Sequence, residues 1–193
     1  MSDAADLPLA HMRGIQRIWD PRVWGTMVGA VGATVFVMTN RGKLTDPWPL
    51  VALAIWVLAL LAYLAFVFVV PRAFGRMSQV GARQGFVYLG AVAGMLILIF
   101  VGSIVLDSAG KIGLRPALIV VAVGLHFLTF AGAFHTRMFI PLGTTMAVLG
   151  LAGLILGWMT DARSAAAAAV ITGIIMLIFM ALDAGRAART TRG

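Results

Sequence analysis

The chain has 193 residues, of which 61% are hydrophobic and 11% charged, whereas a soluble domain is about 25% charged, so the composition is that of an integral membrane protein. Fifteen Lys and Arg against seven acidic residues, all Asp, give a net charge of +8, which in a membrane protein indicates anionic lipid headgroups rather than nucleic acid. The absence of cysteine excludes disulfides, thiol nucleophiles and cysteine-bound metals.

Residues 1–22 form a predicted cytoplasmic leader. Leu9, Met12, Ile15 and Trp19 recur at three- and four-residue spacing, which predicts a short amphipathic helix in the lipid headgroup region. A disordered polar leader is the alternative. The leader lacks the compact apolar stretch and small-residue cleavage site of a signal peptide, so the first membrane span is expected to be its own insertion signal.

Six apolar stretches follow, each long enough to cross a bilayer as a helix. Asp20–Pro21 and Asp46–Pro47 each predict an N-cap followed by proline at the first helical position, and Asp161 or Ser164 is expected to cap the sixth helix. The predicted spans are residues 23–39, 50–70, 86–106, 114–136, 139–159 and 165–182. We therefore predict an all-α bundle of six transmembrane helices over residues 23–184, followed by a basic cytoplasmic tail over residues 185–193.

The distribution of Lys and Arg predicts the orientation of this bundle. The leader, the second and fourth loops and the tail carry ten basic residues, and the other three loops carry five. Because basic residues accumulate on the cytoplasmic side, both termini are expected in the cytoplasm. High use of Ala, Gly and Arg is typical of a GC-rich bacterial genome, so the expected location is the plasma membrane, here a bacterial inner membrane.

Small residues indicate which helices approach one another closely. Lipid tails are as apolar as leucine, so helices in a membrane associate where small side chains let backbones meet. Spans one, three, five and six carry such stripes, whereas span two is rich in large side chains and is expected to face lipid or to pack by bulk. The same faces could also join copies of the chain in a homo-oligomer. The stripes are Gly25, Gly29 and Ala33; Gly90 and Gly94; Gly143, Ala147, Gly150, Gly153 and Gly157; and Ala165, Ala169 and Gly173.

His126 is the ionisable residue that lies deepest in a predicted span. At 1.5 Å per residue it lies about 18 Å from the start of the fourth span, close to the bilayer midplane. An ionisable group at such depth is a functional candidate by default, and on a helical wheel Thr129 and Phe130 lie on the same face. We therefore predict a substrate site made by His126, Thr129 and Phe130. The alternative is a neutral imidazole that hydrogen-bonds a helix carbonyl or a hydroxyl across the interface.

The other polar residues suggest little further chemistry. Five Asp residues fall at or near span ends, where capping or pairing at the headgroup level explains them. Among them, Asp107 on the outer side and Asp183 on the inner side are candidates for a general acid or base, and His126 is the alternative. His135 lies nine residues after His126, on the opposite helix face, so no metal-ligand set is expected. No nucleotide-binding motif is present, and no cofactor is predicted.

The residues Gly124-Leu125-His126-Phe127-Leu128-Thr129-Phe130-Ala131 resemble the G-x-H-F-L-P-[FL]-A stretch of a family of uncharacterised bacterial multi-pass membrane proteins, with Thr129 in place of the proline. The resemblance covers about one helix. It implies a small helical membrane protein with a histidine in a late span, and no activity.

Three functions are compatible with these features. The first is a transporter, channel or accessory subunit for a neutral or lipophilic small molecule, with His126 at a buried polar seam. The second is an intramembrane enzyme for a lipid or isoprenoid substrate that uses His126 or Asp107. The third is a membrane scaffold subunit without a ligand.

Overall fold

The computed structural model describes residues 11–73, 82–134 and 138–189. Leu9, the loop arginines Arg76 and Arg137 that were counted for the orientation, His135 and the tail from residue 190 onward lie outside these ranges.

Within the described residues the chain is a bundle of six helices, and each is long and apolar enough to cross a membrane. The predicted all-α class and the number of spans are therefore confirmed. The helices are α1 (Pro21–Asn40), α2 (Trp48–Leu64), α3 (Ala82–Ser108), α4 (Arg115–Phe134), α5 (Phe139–Met159) and α6 (Ala162–Arg189). Short 3-10 turns precede α1, α2 and α4, and the end of α2 widens into a π-helical turn at Ala65–Val69.

The sixth helix is longer than its predicted span. It runs on to Arg189, through the expected boundary at residue 184 between the membrane domain and the tail. Ala184 is buried, and a Cβ added at Gly185 would lie 3.4 Å from the Phe66 ring. The start of the tail is thus helical because it packs against the end of α2.

Two Asp residues predicted to begin helices behave differently. Asp161 accepts a hydrogen bond from the backbone N–H of Arg163 at 2.7 Å, which confirms it as the cap of α6. The prediction for Asp46 was wrong. Pro47 occupies the N-cap position of α2 without a side-chain hydrogen bond, and the Asp46–Pro47 peptide is cis.

The helix α6 lies at the centre of the bundle and α3 at its edge. α6 contacts α1, α2, α4 and α5. In its apolar 18-residue stretch, 61% is buried inside the protein. α3 packs mainly against α4, and 6% of its corresponding apolar stretch is buried. Most of the α3 surface therefore faces the surrounding membrane.

Close helix contacts form at most, but not all, of the predicted small residues. A Cβ added at Gly153 would lie 2.5 Å from the Ala168 Cβ of α6, and one at Gly173 would lie 2.4 Å from the Ala33 carbonyl oxygen of α1. The prediction for span three was wrong, because no described atom lies within 4 Å of a Cβ built at Gly90 or Gly94. The glycine of α3 that does approach α4 closely is Gly102, further along the helix, against the Leu118 side chain.

The described part of the leader, residues 11–22, crosses the end of α2, and residues 11–19 do not form the predicted amphipathic α-helix. His11–Met12 pairs antiparallel with Arg72–Ala73, and Gly14–Arg17 is a single 3-10 turn. Gly14 is buried so tightly that a Cβ would clash with the Val67 carbonyl oxygen. Residues 11–12 are held in an extended conformation by this pairing, and Gly14 is held against the end of α2. The residues between these attachments and α1 are too few for several regular α-helical turns. We call residues 12–19 the strap, and the face of the bundle on which it lies the termini face.

Candidate functional site

The close contact between α4 and α5 determines which way His126 points. A Cβ added at Gly124 would lie 2.6 Å from the Ala147 backbone nitrogen and 2.9 Å from the Gly143 carbonyl oxygen. This face of α4 is therefore pressed against α5. Two residues further on, a rotation of about 200° places His126 on the opposite side of α4, where α3 packs.

The imidazole of His126 lies between α3 and α4 and contacts both. It forms a hydrogen bond with the backbone of Ala91 on α3. Its Nδ1 atom is buried and has no hydrogen-bond partner among the described residues. The ring centroid lies 4.1 Å from that of Phe130 and 5.8 Å from that of Phe127. The imidazole thus interacts with the α3 backbone and with two aromatic rings of α4, while its Nδ1 atom is buried without a hydrogen-bond partner among the described residues.

Aromatic side chains from three helices form a cluster on one side of the imidazole, in which Phe127 and Phe130 contact it directly. Tyr88 of α3 stacks on Phe130 of α4 with 5.2 Å between ring centroids, and Phe139 of α5 lies 5.5 Å from Phe127 and 6.3 Å from Phe130. We call Tyr88, Phe127, Phe130 and Phe139 the aromatic cluster. Such offset and edge-to-face pairs supply large apolar contact area with defined geometry. The cluster therefore gives His126 an apolar, ring-lined environment.

The site lies nearer to the termini face than to the opposite face. The span of α4 runs over Ile112–Gly132, so His126 is about 9 Å from its Gly132 end and about 21 Å from its Ile112 end, at 1.5 Å per residue. Ala91 is similarly about 9 Å from the Gly85 end of the α3 span. The imidazole is thus about 6 Å from the midpoint of the span, in the half of the membrane at the termini face.

The three predicted substrate residues occupy different environments. Phe130 is half-buried and lies directly against the imidazole. Thr129 is exposed, and its hydroxyl donates to the Leu125 carbonyl oxygen at 3.1 Å within its own helix. Phe130 therefore lies at the same site as His126, whereas the Thr129 hydroxyl already donates its hydrogen bond to the backbone of α4.

Asp107 lies far from His126. It is exposed at the end of α3, where its carbonyl oxygen accepts the Gly110 N–H. Ala91, which marks the level of His126 on α3, is sixteen residues earlier in the same helix, or about 24 Å at 1.5 Å per residue. The two candidate acid and base groups are thus in opposite halves of the membrane. Among the described residues, no three His, Cys, Asp or Glu side chains come close enough together to hold a metal ion.

Several parts of the site were not predicted from the sequence. Tyr88, Phe127 and Phe139 were missed, although aromatic residues at the same end of three successive spans are a signal that could have indicated them. Thr172 of α6 was also missed. It is fully buried, and its hydroxyl oxygen has no hydrogen-bond partner among the described residues. With His126 Nδ1, Trp56 Nε1 and Arg115 Nε, it makes four buried side-chain polar atoms without a hydrogen-bond partner among the described residues.

The fold and the position of the site define a multi-pass integral membrane protein whose polar candidate site lies between a peripheral helix and the body of the bundle. No protein-family model, curated protein or solved structure matches the chain. The resemblance of residues 124–131 to a family of uncharacterised membrane proteins therefore stays a prediction.

Proposed function

We propose that the protein is a transporter, channel or accessory subunit that binds a neutral or lipophilic small molecule, with His126 as the polar group of the site. The observation that carries the proposal is the buried Nδ1 atom, which has no hydrogen-bond partner among the described residues, in an imidazole that contacts the Phe127 and Phe130 rings. Buried polar atoms are normally paired, so an unpaired one beside apolar rings favours a ligand with a small polar group on an apolar body.

The chemistry of a neutral imidazole narrows the ligand class. Such a ring has one N–H donor and one acceptor nitrogen. We assign the hydrogen bond to Ala91 to an N–H at Nε2, because Nδ1 has no partner among the described residues, and this tautomer leaves Nδ1 as an acceptor. The ligand that satisfies this nitrogen must itself donate, as an alcohol or a phenol does. Because Nδ1 is covered, the ligand must also displace a neighbouring ring, and Phe130 at 4.1 Å is the closer of the two rings that contact His126.

The packing of the helices supports entry of the ligand from the membrane. A route between α4 and α5 is disfavoured because Gly124, Gly143 and Gly150 bring the two backbones into direct contact. α3, in contrast, is largely exposed and packs mainly on α4. A lipophilic molecule dissolved in the leaflet at the termini face can therefore approach His126 beside α3 without crossing water.

The two other functions receive less support. An enzyme that uses His126 and Asp107 together is disfavoured by their separation of about 24 Å along α3, so either group would have to act without the other. The closely packed interface of α4 with α5 is what a ligand-free scaffold would need. A scaffold does not, however, account for the unpaired Nδ1 atom, which lies on the other side of α4.

Binding of a matched pair of probes tests the proposal. Farnesol carries a hydroxyl donor, and farnesyl methyl ether has a similar apolar body without the donor. The protein, labelled with ¹⁵N in its histidines, would be titrated with each probe in nanodiscs while the His126 Nδ1 resonance is followed by NMR. We expect farnesol to shift this resonance and to bind about fivefold more tightly than the ether, the effect of one net hydrogen bond of about 1 kcal/mol.

Two variants complete this experiment. His126→Leu removes the acceptor and should abolish the preference for farnesol, measured as competition with a photoreactive farnesol analogue. Thr34→Val is the matched control, because the Thr34 hydroxyl donates to the Ala30 carbonyl oxygen within α1, away from the aromatic cluster. Absence of binding by both probes at His126 would overturn the proposed function.

A further inference from the structure

We propose that the strap, residues 12–19, binds the headgroup layer of the leaflet at the termini face, with anionic phospholipid as its partner. Two attachments determine its level in the membrane. The strap leads directly into α1 at Pro21, and Gly14 packs on the Val67 carbonyl oxygen. Val67 lies two residues before the end of the second span, Trp48–Val69. The strap is thus held at the height where two spans leave the hydrocarbon.

One edge of the strap is apolar and open. In a 3-10 turn, residues three positions apart lie above one another, so Ile15 and Ile18 share an edge, and they are 65% and 39% exposed. Trp19 follows at 82% exposure, and its ring contacts Trp24, 6.2 Å away, at the start of α1. Tryptophan at the end of a span is typical of the membrane–water interface. The exposed side chains of Ile15, Ile18 and Trp19 are suited to the boundary between headgroups and acyl chains.

The neighbouring edge is basic. Arg13 is exposed, and its backbone N–H donates to the Gln16 side chain at 2.9 Å. The antiparallel pairing places Met12 of the strap opposite Arg72, so a second basic residue is adjacent in the backbone register. Asp20, the acidic residue that follows the strap, is buried. The exposed charge is therefore positive, which complements the negative surface potential of anionic lipids.

This combination favours lipid over the other available partners. Exposed Ile15 and Trp19 would be unfavourable in water, and the attachments to α1 and α2 prevent the strap from leaving the membrane surface. An apolar edge beside a basic edge is the pattern of segments that lie in the plane of the interface. The proposal is independent of any ligand at His126.

Depth measurement by spin labelling tests this inference, and the chain is suited to it because it has no cysteine. A nitroxide would be attached at Ile15→Cys, at Ile18→Cys as a second reporter on the same edge, and at Arg13→Cys as the matched control on the basic edge. The intact protein would be placed in nanodiscs of phosphatidylcholine alone or of equal parts phosphatidylcholine and phosphatidylglycerol. The measurement is the relaxation of each label by oxygen, which concentrates in the acyl region, and by a water-soluble nickel chelate.

We expect oxygen to dominate at residues 15 and 18 and the nickel chelate to dominate at residue 13. Phosphatidylglycerol should move the label at residue 15 deeper, and Arg13→Gln in the Ile15→Cys background should reduce that movement. Equally high access of the nickel chelate to residues 13 and 15 would show that the strap lies in water and would overturn the proposal. A depth that does not respond to phosphatidylglycerol would overturn the assignment of anionic lipid as the partner.

Discussion

His126 forms a hydrogen bond with the backbone of a neighbouring helix, and its buried Nδ1 atom has no partner among the described residues. Interhelical hydrogen bonds in membranes contribute little, about 0.6 kcal/mol on average. The contact with Ala91 is therefore too weak to explain a histidine at this position by stability alone. At the scale of single residues, the unsatisfied Nδ1 atom within the aromatic cluster is the feature that favours a binding role.

The first prediction concerns the replacement of this side chain. His126→Leu should lower the free energy of unfolding by less than about 1 kcal/mol, because it removes one weak hydrogen bond and keeps the apolar volume. The preference for farnesol over farnesyl methyl ether should nevertheless be lost. The measurement is unfolding by sodium dodecyl sulfate in mixed micelles, made in parallel with the binding assay. A large loss of folded protein with unchanged binding by the remaining folded fraction would indicate that the histidine is structural.

At the scale of helices, close packing depends on which glycines face a neighbour. Gly124 faces the backbone of α5, whereas no described atom lies near a Cβ at Gly90. The sequence contains both as small residues in apolar spans, and nothing in their local pattern distinguishes them. The difference arises because α3 lies at the edge of the bundle, which is a property of the assembled helices.

A matched pair of substitutions tests this difference. Gly124→Ala should destabilise the protein by about 1–3 kcal/mol, because the added methyl group meets backbone atoms that cannot move aside. Gly90→Ala should be neutral or slightly stabilising, since alanine favours the helix and has open space around it. Equal effects of the two substitutions in the same unfolding assay would contradict the packing described for α4 and α5.

A second pair of variants addresses the starts of helices. Asp161→Ala should cost about 1 kcal/mol through the loss of its hydrogen bond to the Arg163 N–H. Asp46→Ala should have little effect on α2, whose N-cap is Pro47 without a side-chain hydrogen bond. Unfolding free energies of both variants provide the comparison, and an effect at Asp46 as large as that at Asp161 would be inconsistent with the structure of the second helix.

At the scale of the whole molecule, the arrangement combines a central helix with a peripheral one. α6 is buried on several sides and α3 on few, so the bundle is asymmetric, and the candidate site lies on the loosely packed side. The predicted homo-oligomer stays a prediction. Gly25, Gly90 and Gly94 are the glycines of the predicted stripes that remain open in the described structure.

The orientation of the bundle is a further prediction at this scale. Single cysteines can be placed at exposed positions on opposite faces, Gly42→Cys between the first two helices and Arg186→Cys near the end of α6. The excess of basic residues on the termini face predicts that a membrane-impermeant maleimide labels residue 42 in intact cells and residue 186 only after permeabilisation. The reverse pattern would place the termini outside the cytoplasm.

The sequence by itself determined the six spans, because each hydrophobic stretch must satisfy its backbone as a helix within the bilayer and needs no partner to do so. It also indicated His126 and Phe130, since a titratable ring inside an apolar span and its neighbour one turn later are evident from local spacing. Only the tertiary structure decided that Asp107 lies at the opposite end from His126, that the Gly90 face is open, and that Tyr88 and Phe139 join the aromatic cluster. These features depend on which faces of α3, α4 and α5 meet, and in lipid that choice is made by the shape of the packed surfaces rather than by the hydrophobicity of any one helix.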